Sequence, residues 1–112
     1  MPMITLHTNK KLTKEEIALL GRGLGERITL LPGKSEASLM LEIRDGQEMF
    51  FRGKQDACAF VDVRLFHASP REAKQAFAES VCALLEQVGV PGKDVYLNFL
   101  EFDSWGAQGT LK

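Results

Sequence analysis

An apolar, strand-like run, Pro2-Met3-Ile4-Thr5-Leu6, opens the chain in a strand expected over 2–8. Strand-like runs return over 37–44, 58–66 and 94–102. Between them the period lengthens to that of a helix. Ile17, Leu20, Leu24 and Ile28 fall on one helical face, and Phe77, Val81, Leu84 and Val88 on another. Thr13-Lys14-Glu15-Glu16 has the form of a capping box, in which the Thr hydroxyl and the Glu carboxylate each satisfy an amide without a helical partner. Ser69-Pro70-Arg71-Glu72 predicts the same box with Pro at the first helical position. Both helices are expected to stop at Pro-Gly turns, Pro32-Gly33 and Pro91-Gly92. Asp45-Gly46 closes the second strand, and a short strand is expected near 48–51.

The chain is one unit written twice. Pro32-Gly33-Lys34 returns as Pro91-Gly92-Lys93, and Leu41-Glu42-Ile43 as Leu100-Glu101-Phe102, each 59 positions later. The pseudo-repeats, about 2–45 and 58–103, make a single domain over 1–112. Right-handed β-α-β crossovers make each strand pair parallel and put both helices on one face of a four-stranded sheet, an α/β (α+β) fold. Apolar residues occur at both parities of the second and last strands. The helix-free face, expected to bear Leu39, Leu41, Ile43, Leu100 and Phe102, therefore needs covering by another chain, which implies an oligomer.

Composition narrows the function. With 45% hydrophobic and 26% charged residues and a net charge of −1, the chain lacks the basic footprint of a nucleic-acid or polybasic membrane binder. No apolar run approaches a membrane-spanning length, and no secretory signal pattern is visible. These features point to a cytoplasmic protein, released, if at all, without a signal peptide. Cys58 and Cys82 have neither metal-ligand nor redox spacing and read as free thiols. His7 and His67 lack companion ligands, so neither a metal nor a cofactor is expected. Gly21, Gly23 and Gly25 lie inside a helical pattern, which suits close helix packing rather than a phosphate loop.

The candidate chemistry is at the start. Removal of Met1 would leave Pro2 with a free secondary amine in a rigid ring. An α-amino group titrates near about 7.7–8.0. Burial among apolar groups lowers that value, leaving a neutral general base near pH 7. Proton transfer next to a carbonyl also needs a positive or hydrogen-bonding group at the developing enolate oxygen.

The chain resembles the tautomerase superfamily, in the branch of macrophage migration inhibitory factor and D-dopachrome tautomerase. The resemblance rests on Pro2-Met3, Thr8-Asn9, Gly33-Lys34, Gln47-x-Met49-x-Phe51-x-Gly53, Cys58-Ala59 and Val95-Tyr96-Leu97-Asn98-Phe99. It implies a homotrimer whose sheets form an inner barrel, with a pocket at each subunit boundary. Pro2 would be the catalytic base, Lys34 would bind a substrate carboxylate, and the backbone amide of Phe66 would line the pocket. Tyr96 and Asn98 would arrive from the neighbouring subunit. The implied reaction is keto–enol tautomerisation of an aromatic 2-oxo acid such as phenylpyruvate, without a cofactor.

The family also includes proteins that signal through a host receptor, and this second role comes with the resemblance. A third reading comes from Arg64, which shares a strand face with Asp62 and Phe66. Dehalogenase and hydratase branches of the superfamily combine Pro with arginines on a small unsaturated acid. Two departures matter. Cys58-Ala59-Phe60-Val61 lacks the Cys-x-x-Cys of vertebrate members, and Ser38 stands where members place an aromatic. Trp105 is a candidate replacement for that aromatic.

Overall fold

In the computed structural model, which describes residues 1–112, β1 (Pro2–Thr8) lies inside a four-stranded mixed sheet of order β2-β1-β3-β4. The other strands are β2 (Met40–Arg44), β3 (Ala59–Phe66) and β4 (Val95–Phe102). β1 runs parallel to β2, with Ile4 opposite Leu41, and β3 runs parallel to β4, with Val61 opposite Leu97. The two halves join through the antiparallel β1–β3 pair, where Ile4 meets Val63. The doubled β-α-β unit is thus realised, and Pro2 falls at the end of the sheet where β3 and β4 finish.

Helices α1 (Lys14–Arg27) and α2 (Arg71–Glu86) cover one face. Ile4 and Leu6 of β1, Val61, Val63 and Leu65 of β3, Leu20 and Leu24 of α1, and Phe77, Val81, Leu84 and Leu85 of α2 form one buried cluster. Each such side chain contributes about 1.5–3 kcal/mol through burial. The Thr13 box forms: its hydroxyl accepts from the Glu16 amide at 3.1 Å, and Glu16 Oε1 accepts from the Thr13 amide at 3.0 Å. Gly23 lets α1 approach α2 closely, since a Cβ there would lie 2.6 Å from Leu84 Cδ1. Arg27 ties the helices further, donating from Nε to the Ser80 carbonyl at 3.0 Å.

Several expectations are corrected. β2 begins at Met40, because Glu36–Ser38 form a 3₁₀ turn in which Ser38 Oγ bonds the Ser35 carbonyl. No strand forms over 48–51. Arg52 and Gly53 take positive φ (55° and 75°), and the segment closes on itself through a single Phe51–Lys54 bridge. Ser69 makes no capping box. Pro70 is the N-cap in extended conformation, and the Ser69 amide donates instead to Glu101 Oε2 at 2.6 Å. α2 ends before the Pro-Gly turn, at Gly89 (φ +85°), where the Val90 amide reaches back to the Leu85 carbonyl. Ile17 lies at the margin of the core and is 38% exposed.

The face assignment also changes. Leu39, Leu41 and Ile43 pack on the helix-covered core, because Leu41 shares its face with buried Ile4. The helix-free face carries Met3, Met40, Phe60, Phe66, Tyr96, Leu100 and Phe102, together with a polar row of Glu42, Thr5, Asp62 and Asn98. A small hairpin of β5 (Gly106–Ala107) and β6 (Thr110–Leu111) ends the chain and was not expected from its sequence. Cys58 and Cys82 are free thiols. No helix is long and apolar enough to cross a membrane.

Candidate active site

Three of the five residues singled out from the sequence converge at one end of the sheet. Pro2 is buried and opposite Leu65, and the Phe66 amide donates to the Met1 carbonyl at 3.2 Å. Lys34 follows Gly33, whose φ of +77° turns the chain back toward the sheet. Its ammonium donates to the Phe66 carbonyl at 2.7 Å. The repeat partner of this lysine behaves differently: Lys93 is 73% exposed and pairs with its neighbour Asp94 at 2.9 Å. Lys34 is therefore placed against the strand end, and Lys93 is a surface ion-pair residue.

The electrostatics suit a base. Burial, and then the charge of Lys34, hold the terminal amine of Met1 below the usual α-amine range. With Met1 in place the Pro2 nitrogen is an amide and the Phe66 N–H is engaged. Loss of Met1 would create the Pro2 amine and free the Phe66 N–H together.

An open cleft of about 770 Å³ lies beside Pro2. Its walls include Ser38, Met40, Arg64, Phe102 and Trp105. Trp105 stands in the cleft 6.3 Å from the Phe102 ring and lines it together with Ser38. Met40 and the terminal hairpin had no signal in the sequence beyond a loose tail resemblance.

Tyr96 and Asn98 are not brought to this cleft by their own chain. Glu101, not Tyr96, lies across from Leu65, so Tyr96 sits five residues away along β4, roughly 17 Å by strand rise. Tyr96 is 65% exposed there, in edge contact with Phe51 at 4.8 Å. Asn98 stands opposite Asp62, and Asn98 Oδ1 and Asp62 Oδ1 are both buried without a hydrogen-bond partner.

This second end is tied down by a residue whose role the sequence did not disclose. Asn9 Nδ2 donates to the carbonyls of Met49, Gln55 and Asp56, at 3.3, 3.2 and 2.9 Å, and Asn9 Oδ1 accepts from the Cys58 amide at 2.9 Å. Arg52 stacks over Phe51 and pairs with Asp94 at 3.1 Å, closing the loop against the start of β4. No group of three or more His, Cys, Asp or Glu side chains is placed to hold a metal ion.

Comparison with known proteins agrees with this architecture. The family profile described as macrophage migration inhibitory factor matches residues 1–111. A macrophage migration inhibitory factor homologue from Prochlorococcus marinus is 26% identical, with 97% of each chain covered and a TM-score of 0.87. MIF2 of Leishmania major is 20% identical over 100% of this chain and 97% of that one, with a TM-score of 0.92. A protein whose structure was determined after inactivation by 2-oxo-3-pentynoate is 18% identical over 96% of this chain and 92% of that one, with a TM-score of 0.84. No curated protein matches the sequence significantly.

Proposed function

The chain belongs to the macrophage migration inhibitory factor family, and from that premise we propose that it is a keto–enol tautomerase of 2-oxo acids, phenylpyruvate among them, with Pro2 as its base. The observation that carries the reading is the convergence of Pro2, Lys34 and the Phe66 amide at one end of β1 and β3. The similarity to a protein inactivated by a 2-oxo acid supports the substrate class.

In this mechanism Met1 is removed and the neutral Pro2 amine takes a proton from the carbon next to the keto group. The C–H pair becomes the C=C bond of an enolate, and the charge moves to the oxygen. The Phe66 N–H, freed of Met1, donates toward the substrate, and the Lys34 ammonium holds its carboxylate as a point charge. Protonation of the enolate oxygen by the prolinium completes the enol and regenerates the base. The reverse sequence converts enol to keto acid.

The site is completed by a second copy of the chain in a homotrimer. Two features support this assembly. Met3, Phe60, Leu100 and Phe102 lie on a sheet face without helices, and Tyr96 and Asn98 lie too far from Pro2 of their own chain to share its substrate. Phenylpyruvate turnover by wild type and Pro2→Gly, with intact mass to establish loss of Met1, tests the proposal. Full activity with Met1 retained would remove Pro2 from the reaction.

A second reading is favoured by one observation: Arg64 lines the same cleft as Pro2. Hydrolytic dehalogenation or hydration of a small unsaturated acid would use its guanidinium on the carboxylate. Faster turnover of 3-haloacrylates than of phenylpyruvate would put that reading first.

A further inference from the structure

We propose that the cleft prefers 2-oxo acids bearing a second carboxylate, with Lys34 receiving the carboxylate beside the keto group and Arg64 the distal one. The proposal rests on the tautomerase reading for its chemistry and adds a substrate class to it.

The argument begins with charge. Arg64 and Lys112 line the cleft, and no Asp or Glu side chain does. Arg64 makes one hydrogen bond, from Nε to Asp62 Oδ2 at 3.3 Å, so both of its terminal nitrogens are free to donate. A guanidinium presented in this way matches a carboxylate with two parallel hydrogen bonds. Lys34 holds the other side of the site through the Phe66 carbonyl.

Position then separates the two cations. Arg64 and Phe66 are alternate residues of β3, roughly 7 Å apart along the strand. Leu65, between them, is the register partner of Pro2. Arg64 and the Lys34–Phe66 contact thus fall on either side of Leu65 along β3, and Met40 and Trp105 are apolar walls of the cleft that Arg64 shares with Pro2. A monoacid engaging Lys34 leaves the two terminal nitrogens of Arg64, whose Nε alone is paired with Asp62, without an acceptor as substrate displaces water, whereas a diacid supplies one.

2-Oxoadipate and 2-oxohexanoate differ only in the second carboxylate and separate the possibilities. Binding of each to the Met1-free protein is measured by calorimetry, and proton exchange at C3 is followed in D₂O by NMR. The wild type is expected to bind the diacid at least tenfold tighter than the monoacid. In Arg64→Ala the ratio should fall to within threefold, and Arg64→Lys should restore part of it. Equal affinities in the wild type, or a preference that persists in Arg64→Ala, would overturn the proposal. Pro2→Gly keeps the two readings apart. It should retain the diacid preference in binding and lose the exchange. Undiminished exchange in Pro2→Gly would remove the proposed base while leaving the binding preference to be judged by its own measurement.

Discussion

The two ends of the sheet are built for different tasks. At the Pro2 end the chain leaves an open cleft, with Arg64 half exposed and the Phe66 amide bonded only to a removable residue. At the Tyr96 end the loop is tied down, Asn9 making four hydrogen bonds and Arg52 locking onto Asp94, while Asn98 Oδ1 is left without a partner. One end keeps polar groups free for a ligand, and the other holds an exposed tyrosine in a defined place. A braced edge with an exposed tyrosine and an open cleft are the two halves that the proposed site between copies of one chain would join.

The sharpest way to break this contrast is at Pro2. Pro2→Gly should lower phenylpyruvate turnover by about 10²–10⁴-fold, the usual contribution of a positioned base. The circular dichroism spectrum should be unchanged, since the core lies elsewhere. Activity within threefold of wild type would show that another group moves the proton.

Asn9→Ala attacks the other end. It leaves the Cys58 amide and three loop carbonyls without their partner, a loss of about 1–3 kcal/mol for a buried unsatisfied group. The chain has one Tyr and one Trp, and they stand at opposite ends: Tyr96 against the Asn9-held loop, Trp105 in the cleft. The tyrosine near-ultraviolet signal should therefore change while tryptophan emission does not. Equal change in both would mean that the ends are one unit.

Titration gives a smaller effect. The Met1 amine is held below its usual range by burial and by Lys34, and the Pro2 amine that would replace it beside the same lysine is expected to shift the same way. For a base the neutral form is active, so activity should rise with pH through a value below about 7.7–8.0. The unfolded chain binds more protons than the folded one between the two pKa values, so stability also rises with pH across that window. In Lys34→Ala the activity midpoint should move upward, toward the ordinary amine, because one of the two causes is gone. The smallest effect concerns Cys58. Burial, and then the charge of Asp94, push its thiol up, so alkylation in the native state at neutral pH should be much slower than after unfolding.

The sheet, both helices and the first cap were legible because each follows from local period and local chemistry. The assignment of faces was not. Apolar residues occupy both parities of β2, and only the register of Leu41 against Ile4 decides which parity meets the helices. The expected strand over 37–39 gave way to serine hydroxyls that bond within their own turn. Pro2 stood out because a secondary amine at a chain end has its own chemistry, whereas Lys34 and Phe66 were named for the site only through the family resemblance. The role of Asn9 was not legible, since its four partners lie 40–49 residues away and nothing in a polar residue after a strand announces them. In the proposed trimer the place of Tyr96 relative to Pro2 depends on a second copy of the chain, which no local pattern describes.

The central claim is that Pro2 of one copy works with Tyr96 and Asn98 of another, and subunit mixing tests it most directly. One variant carries Pro2→Gly, and the other carries Tyr96→Phe with Asn98→Ala. Each alone should be strongly impaired. After co-refolding at equal amounts, about a quarter of the boundaries in a randomly assembled ring pair an intact Pro2 with an intact Tyr96–Asn98 edge. The account predicts turnover well above the sum of the two parents, approaching a quarter of wild type, in a species of three times 12.5 kDa. Activity no greater than the mean of the two parents in a confirmed mixed trimer, or a stable active monomer, would contradict it.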